Sequence, residues 1–182
     1  MDTCLYVAEG EIEKRFLTEL KQIGYIVPGK FCKFNLMQKR VKNSDNIMAK
    51  HYSRIICIID TDCAESVQLD NLKYNIDALT SICEKLDVMV QNKNFEDELK
   101  RLMNRSNLLT AFNQKFEGIK DLKKFLSQKI SYAKCLDKNR VSLYCRKYQE
   151  FEQLWTDRCS KEPSLNFITG KEIWTSTLSS NH

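Results

Sequence analysis

The chain has 182 residues, a length that suits one domain with room for a small appendage. Its 42% hydrophobic content is enough for a real core, and its charged fraction of 29%, mixed in sign, gives no indication of disorder. The formal net charge of +5 is a weak pointer to an anionic partner.

Residues 3–8 alternate and then run apolar, as a short buried strand does. Residues 11–23 change period: Ile12, Phe16, Leu17, Leu20 and Ile23 share one helical face, and Gly24 ends the helix. "YIVPGKFCKFNL" reads as a second strand region broken by a Pro-Gly turn, and residues 38–52 as a short helix with loops. "RIICIIDTD" is continuously apolar and β-branched, the mark of a strand buried on both faces of a parallel sheet covered by helices. Residues 64–84 predict a helix with Leu72, Ile76, Leu79, Ile82 and Cys83 inward, "LDVMVQN" a fourth strand, and "FEDELKRLM" another helix. Strands alternating with helices predict an α/β fold, a mainly parallel sheet of about four strands flanked by helices. After residue 105 the pattern is helical only: Ile119, Leu122, Phe125, Leu126 and Ile130 form a stripe, and residues 140–157 a further helix. The expected organisation is a core over 1–105 and a helical extension over 106–182, packed together as one compact unit.

Cys4, Cys32, Cys57 and Cys83 fall inside apolar runs, no C-x-x-C occurs among the eight cysteines, and only His51 and His182 could join a zinc site. Buried free thiols in a reducing, cytoplasmic compartment are expected. Met1-Asp2 lacks the basic region and apolar run of a signal peptide, and the longest apolar stretch, "IICII", is too short to span a bilayer.

Acids stand at two predicted strand ends. The first strand ends at Glu9-Gly10; the third ends at Asp60, with Thr61-Asp62 following. In open α/β sheets functional groups gather beyond the carboxyl ends of the strands. If these two strands are neighbours, Glu9, Asp60 and Asp62 converge, and three carboxylates close together need a counter-charge. A divalent cation supplies it, and hard oxygen donors suit Mg²⁺ or Mn²⁺ rather than zinc. Gly10 is expected to let the chain turn tightly while Glu9 stays aimed over the sheet edge. The plain alternative is that an acid after a strand only caps the next helix.

An E-G pair opening a helix after the first strand, then a buried strand ending in D-x-D, resembles the Toprim domain of topoisomerases, bacterial primases and OLD-type nucleases. "VAEGEIEKRFL" resembles the E-G-x-x-E helix start of the OLD-type and RloB-like branches, with Glu9 and Glu13 one turn apart. "NKNFEDELKRL" resembles their S-N-P-x-F-E segment, with Asn92, Phe95 and Glu96 at matching places and Lys93 or Asn94 where the proline stands. "FITGKEIW" resembles a late G-K element and offers Lys171. The resemblance covers residues 4–104, touches 167–174, and has no counterpart over 105–160.

The resemblance implies a Toprim-like, Rossmann-like fold and Mg²⁺- or Mn²⁺-dependent phosphodiester hydrolysis of DNA or RNA. Glu9, Asp60 and Asp62 would hold metal and serve catalysis, with general-base or general-acid work as the other role open to Glu9. Glu13 and Glu96 would hold a second metal or orient water, and Lys171 would stabilise charge on the phosphate. Each of these weaker members has a bland alternative: a solvent-facing first-turn acid for Glu13, an exposed helix acid for Glu96, a surface lysine for Lys171. Glu11, two residues past Glu9, points elsewhere. The resemblance also implies an anti-phage setting beside an ABC-type ATPase. This sequence has no Walker A motif, so such an ATPase is a separate chain. A homo-oligomer stays open as a further partner, and no membrane partner is expected.

Residues 115–147 carry ten Lys/Arg against three Asp/Glu. Lys120, Lys123, Lys124 and Lys129 flank the apolar stripe and are candidates for phosphate contacts, with Tyr132, Tyr144 and Tyr148 nearby for base stacking. A solvated helical face is the alternative. Two other functions stay open: a Toprim-shaped binding or regulatory subunit without catalysis, and another metal-assisted phosphoryl reaction such as nucleotidyl transfer.

Overall fold

The computed structural model describes residues 4–61, 66–91, 93–102, 119–128, 149–158 and 165–173. In chain order these form β1 (Cys4–Ala8), α1 (Glu11–Gln22), β2 (Lys30–Lys33), a 3-10 turn (Asn46–Ala49), β3 (Tyr52–Asp60), α2 (Ser66–Thr80), β4 (Cys83–Gln91), α3 (Phe95–Leu102), α4 (Ile119–Ser127), α5 (Gln149–Arg158), β5 (Asn166–Ile168) and a second 3-10 turn (Gly170–Glu172). The strands make one five-stranded sheet in the order β2-β1-β3-β4-β5, parallel throughout.

Strand alternation divides the core in two. Cys4, Tyr6, Ala8, Ile56, Ile58 and Met89 face α1, α3 and α4, packing on Phe16, Leu17, Leu20, Phe95, Leu99 and Leu126. Leu5, Val7, Ile55, Cys57, Ile59, Val88 and Val90 face α2 and α5, packing on Leu69, Leu72, Ile76, Leu79, Phe151 and Trp155. With helices on both sides, β3 buries every residue from Ile55 to Ile59, which is why its sequence runs apolar without alternation. Burying each such side chain contributes roughly 1.5–3 kcal/mol before chain entropy is subtracted.

The structure departs from the sequence reading at three elements. The sheet has five strands, because residues 166–168 join it after a stretch that reads as helical only. Three residues are too few to show a period. Pairing with β4 and a hydrogen bond from Asn166 Nδ2 to Asp87 Oδ1 define them instead. Asp87 is fully buried inside β4 and is neutralised by Arg54, whose Nε donates to its Oδ2 at 2.6 Å. Second, α2 stops at Thr80, and Cys83 begins β4 by pairing with Tyr52, so Ile82 and Cys83 are not on the helix. Third, only Lys30–Lys33 of the second strand region lies in the strand proper.

Two glycines are required by the backbone. Gly24 takes φ +73° and closes α1 with Tyr25 N donating to Leu20 O and Gly24 N donating to Lys21 O, the paired hydrogen bonds of a left-handed helix stop. Gly29 lies so close to β1 that a Cβ there would fall 2.7 Å from the Tyr6 ring and 2.9 Å from Cys4 O. Among the described residues no helix is long and apolar enough to cross a membrane.

Candidate functional site at the carboxyl ends of the central strands

The strand order places β2 on one side of β1 and β3 on the other. The helix after β1 covers one sheet face and the helix after β3 covers the opposite face. The two connections diverge at β1 and β3, which makes the edge beyond these strand ends the topological switch point, the place where open α/β sheets hold ligands. Val7 pairs with Cys57. Continuing that register sets Glu9 level with Ile59, one residue short of Asp60. Two of the three predicted carboxylates therefore flank the switch point from adjacent parallel strands; Asp62 lies outside the described residues.

Alternation aims the two acids differently. Asp60 follows Ile56 and Ile58 toward the α1 face, and its Oδ1 is buried. Glu9 follows Leu5 and Val7 toward the other face and lines a cleft there. Gly10 between strand and helix is extended, at φ −106° and ψ 153°, and a Cβ there would meet nothing within 4 Å. Any residue adopts that backbone, so the corner does not need glycine for its turn, contrary to the expectation from sequence. The helix start is instead favoured by the first-turn acids Glu11 and Glu13 against the helix dipole.

Glu13 is 2% exposed, on the inward face of α1 with Phe16, Leu17 and Leu20, so the solvent-facing alternative for it is wrong. A carboxylate is costly to bury unless it is paired or hydrogen-bonded, and Glu13 takes part in such an interaction. Glu96 is tied to α4 by an ion pair with Lys123, 2.9 Å from Nζ to Oε1. This pairing differs from the roles expected from sequence, metal holding for Glu96 and phosphate contact for Lys123. Glu98, which sequence reading missed, is 2% exposed on the inward side of α3 beside Phe95 and Leu99. Only the helical phase relative to Phe95 could have pointed to it. Lys120 and Lys124 are exposed on α4. Lys129, Asn92 and the three tyrosines lie outside the described residues.

Lys171 does not join this edge. Its neighbours Glu172 and Ile173 accept hydrogen bonds at their carbonyls from Arg54 Nη1 and Val27 N. Arg54 pairs with Cys4 at the start of β1, and Val27 accepts from the Tyr6 hydroxyl. The segment carrying Lys171 is thus anchored toward the amino-terminal end of the central strands.

A different lysine stands at the carboxyl edge. Thr61 N donates to Lys93 O at 3.0 Å, Lys93 N donates to Thr61 Oγ1 at 2.9 Å, and Thr61 Oγ1 donates to Gln91 O at 2.9 Å. These bonds lace the end of β3 to the end of β4 directly after Asp60. They hold Lys93 at φ 68°, the one non-glycine residue with positive φ among the described residues.

The cleft lined by Glu9 has a volume of about 350 Å³ and is bounded by Lys33, Phe34, Asn35, Gln38 and Lys39 from the end of β2 and the turn after it. Sequence reading assigned none of these five a role. Among the described residues no three His, Cys, Asp or Glu side chains group closely enough to hold a metal ion. Glu9 and Asp60 stand on neighbouring strands but aim toward opposite faces of the sheet, so these two acids do not converge as the sequence reading expected. No protein-family model, curated protein or solved structure matches the chain.

Proposed function

We propose that the protein is a divalent-metal-dependent nuclease that hydrolyses phosphodiesters of DNA or RNA. The observation that carries this reading is the pair Glu9 and Asp60 at the carboxyl ends of adjacent parallel strands, flanking the switch point. Asp60 and Asp62 would hold Mg²⁺ or Mn²⁺, which when bound supplies neutralisation of phosphate charge and a more acidic water, while Glu9, aimed at the other sheet face, would act from across the switch point. Asp60 stands at the end of β3 with its Oδ1 buried, and the Thr61 bonds to Lys93 and Gln91 keep that strand end rigid. Glu9, lining an open cleft, is the acid that reaches solvent and is placed to take or give a proton. A non-catalytic binding subunit is the second reading. It is favoured by the aim of Glu9 and Asp60 toward opposite faces of the sheet.

The test is Mn²⁺-dependent cleavage of mixed DNA and RNA substrates, with any partner ATPase supplied, by wild type, Glu9→Gln, Glu9→Asp and Asp60→Asn. All three variants are expected to keep the fold by circular dichroism and lose at least about a hundredfold in rate, the scale set by misplacing a reacting group by about 1 Å. Glu11→Gln should cleave as wild type, since Glu11 is exposed and its pair with Lys33 is loose, at 3.7 Å. Cleavage at wild-type rates by the Glu9 variants would leave the binding-subunit reading ahead.

A further inference from the structure

The cleft beside Glu9 has the chemistry of a seat for one nucleotide. Its volume of about 350 Å³ falls within the range of roughly 300–1,000 Å³ typical of small-ligand sites. Its wall combines two ammonium groups, Lys33 and Lys39, with two carboxamides, Asn35 and Gln38, and one aromatic ring, Phe34. The wall is built. Phe34 N donates to Ala8 O at 2.9 Å, which fixes the segment against the end of β1, and the ring is partly buried against the second core. Asn35 Oδ1 accepts from Met37 N at 3.0 Å and Gln38 N at 2.9 Å, so the turn is held by its own side chain. Lys39 N donates to Asn35 O at 3.1 Å and closes the same turn.

We propose that this cleft binds a nucleoside monophosphate unit, with Lys33 and Lys39 on the phosphate, the Asn35 and Gln38 amides on base or sugar edges, and the Phe34 ring against the base. Each part follows from its chemistry. Lysine meets phosphate as a point charge, carboxamides pair with the donor and acceptor edges of bases, and aromatic rings stack on any base. Lys33 already leaves its pair with Glu11 loose, at 3.7 Å with both side chains about half exposed, so it is available to a phosphate. The identification of the unit as part of the cleaved strand rests on the nuclease reading. The binding chemistry does not. A free nucleotide and a nucleotide within a strand present the same groups, and the two are told apart by experiment.

The experiment measures binding of adenosine 5′-monophosphate and of a short single-stranded oligonucleotide to the full chain in EDTA, where nothing is cleaved. Variants are the charge reversal Lys33→Glu with Lys39→Glu, and Glu9→Gln. The reversal should weaken binding by at least about tenfold and lower the oligonucleotide's salt slope by roughly one to two. Glu9→Gln should tighten metal-free binding several-fold by removing the like charge from the cleft. Lysine acetylation of the wild type gives a readout that needs no variant: Lys33 and Lys39 should be protected by ligand while Lys50 and Lys85 are not. Protection by the mononucleotide assigns a free-nucleotide site; protection by the oligonucleotide alone assigns a strand subsite. The proposal is overturned if neither ligand protects Lys33 and Lys39, or if the folded charge reversal binds as wild type. A protein that never cleaves yet passes these tests would sink the nuclease reading and leave the cleft standing.

Discussion

Lys93 holds a conformation that an L-residue reaches at a cost of about 1–2 kcal/mol, while glycine adopts it freely. Its φ of 68° is maintained by reciprocal hydrogen bonds with Thr61, the residue after Asp60. Backbone strain of this kind concentrates at functional sites, where neighbouring contacts over-determine the conformation. Lys93→Gly keeps both backbone hydrogen bonds and removes the steric cost. Against the greater freedom of glycine in the unfolded chain, a net gain of about 0.5–1 kcal/mol is expected. The urea midpoint should rise for Lys93→Gly and stay near wild type for Lys93→Ala. A drop for the glycine variant would mean that the lysine side chain, not the backbone, holds this corner.

α4 spans nine residues, short of the roughly 12–15 at which an isolated helix becomes marginally stable. It is held by packing, with Leu126 fully buried and Phe125 against the first core, and by the Lys123–Glu96 pair to α3. Glu96 is 13% exposed and Lys123 is 52% exposed, so solvent screens the pair and its worth is about 0.5–1 kcal/mol. A double-mutant cycle of Lys123→Ala with Glu96→Ala should return that coupling. The charge-swapped pair Lys123→Glu with Glu96→Lys should recover most of the loss. Coupling indistinguishable from zero would free Lys123 for phosphate contacts with Lys120 and Lys124, as the charge run on its own suggests.

Across the whole molecule, the interior sets the response to alkaline pH. Burial pushes the Cys4 and Cys83 thiols up to about 11 from 9.0, and pushes Cys57 and the Tyr6 phenol higher still. These acids prefer their neutral forms in the folded state. Below pH 9 they are neutral in both states and the associated stability is fully present. Above it the unfolded thiols ionise first, the unfolded chain binds fewer protons, and stability falls as pH rises through about 11. The urea midpoint should therefore be lower at pH 10 than at pH 8, and alkylation of Cys4, Cys57 and Cys83 at pH 8 should be slow unless denaturant is added. A midpoint that climbs between those pH values would contradict the buried-thiol interior.

The sequence by itself determined the layered α/β fold. The uninterrupted apolar run of β3 requires cover on both faces, and the switch from period 2 to period 3.6 at Glu11 and Phe95 marks where helices begin. It also located the acids at the ends of β1 and β3, because an acid bounding an apolar run is a local feature. Only the tertiary structure decided what required two distant segments. β5 exists because Asn166 meets Asp87 across 79 positions of chain. Lys171 leaves the carboxylate edge because its neighbours bond to Arg54 and Val27 at the other end of the strands. Glu96 and Lys123 pair because α3 and α4 both pack into the core on the α1 side of the sheet. The cleft at Glu9 forms because parallel pairing brings the turn after β2 level with the end of β1. Local periodicity fixes what a segment becomes, while the partners of a charge depend on contacts between segments far apart in the chain.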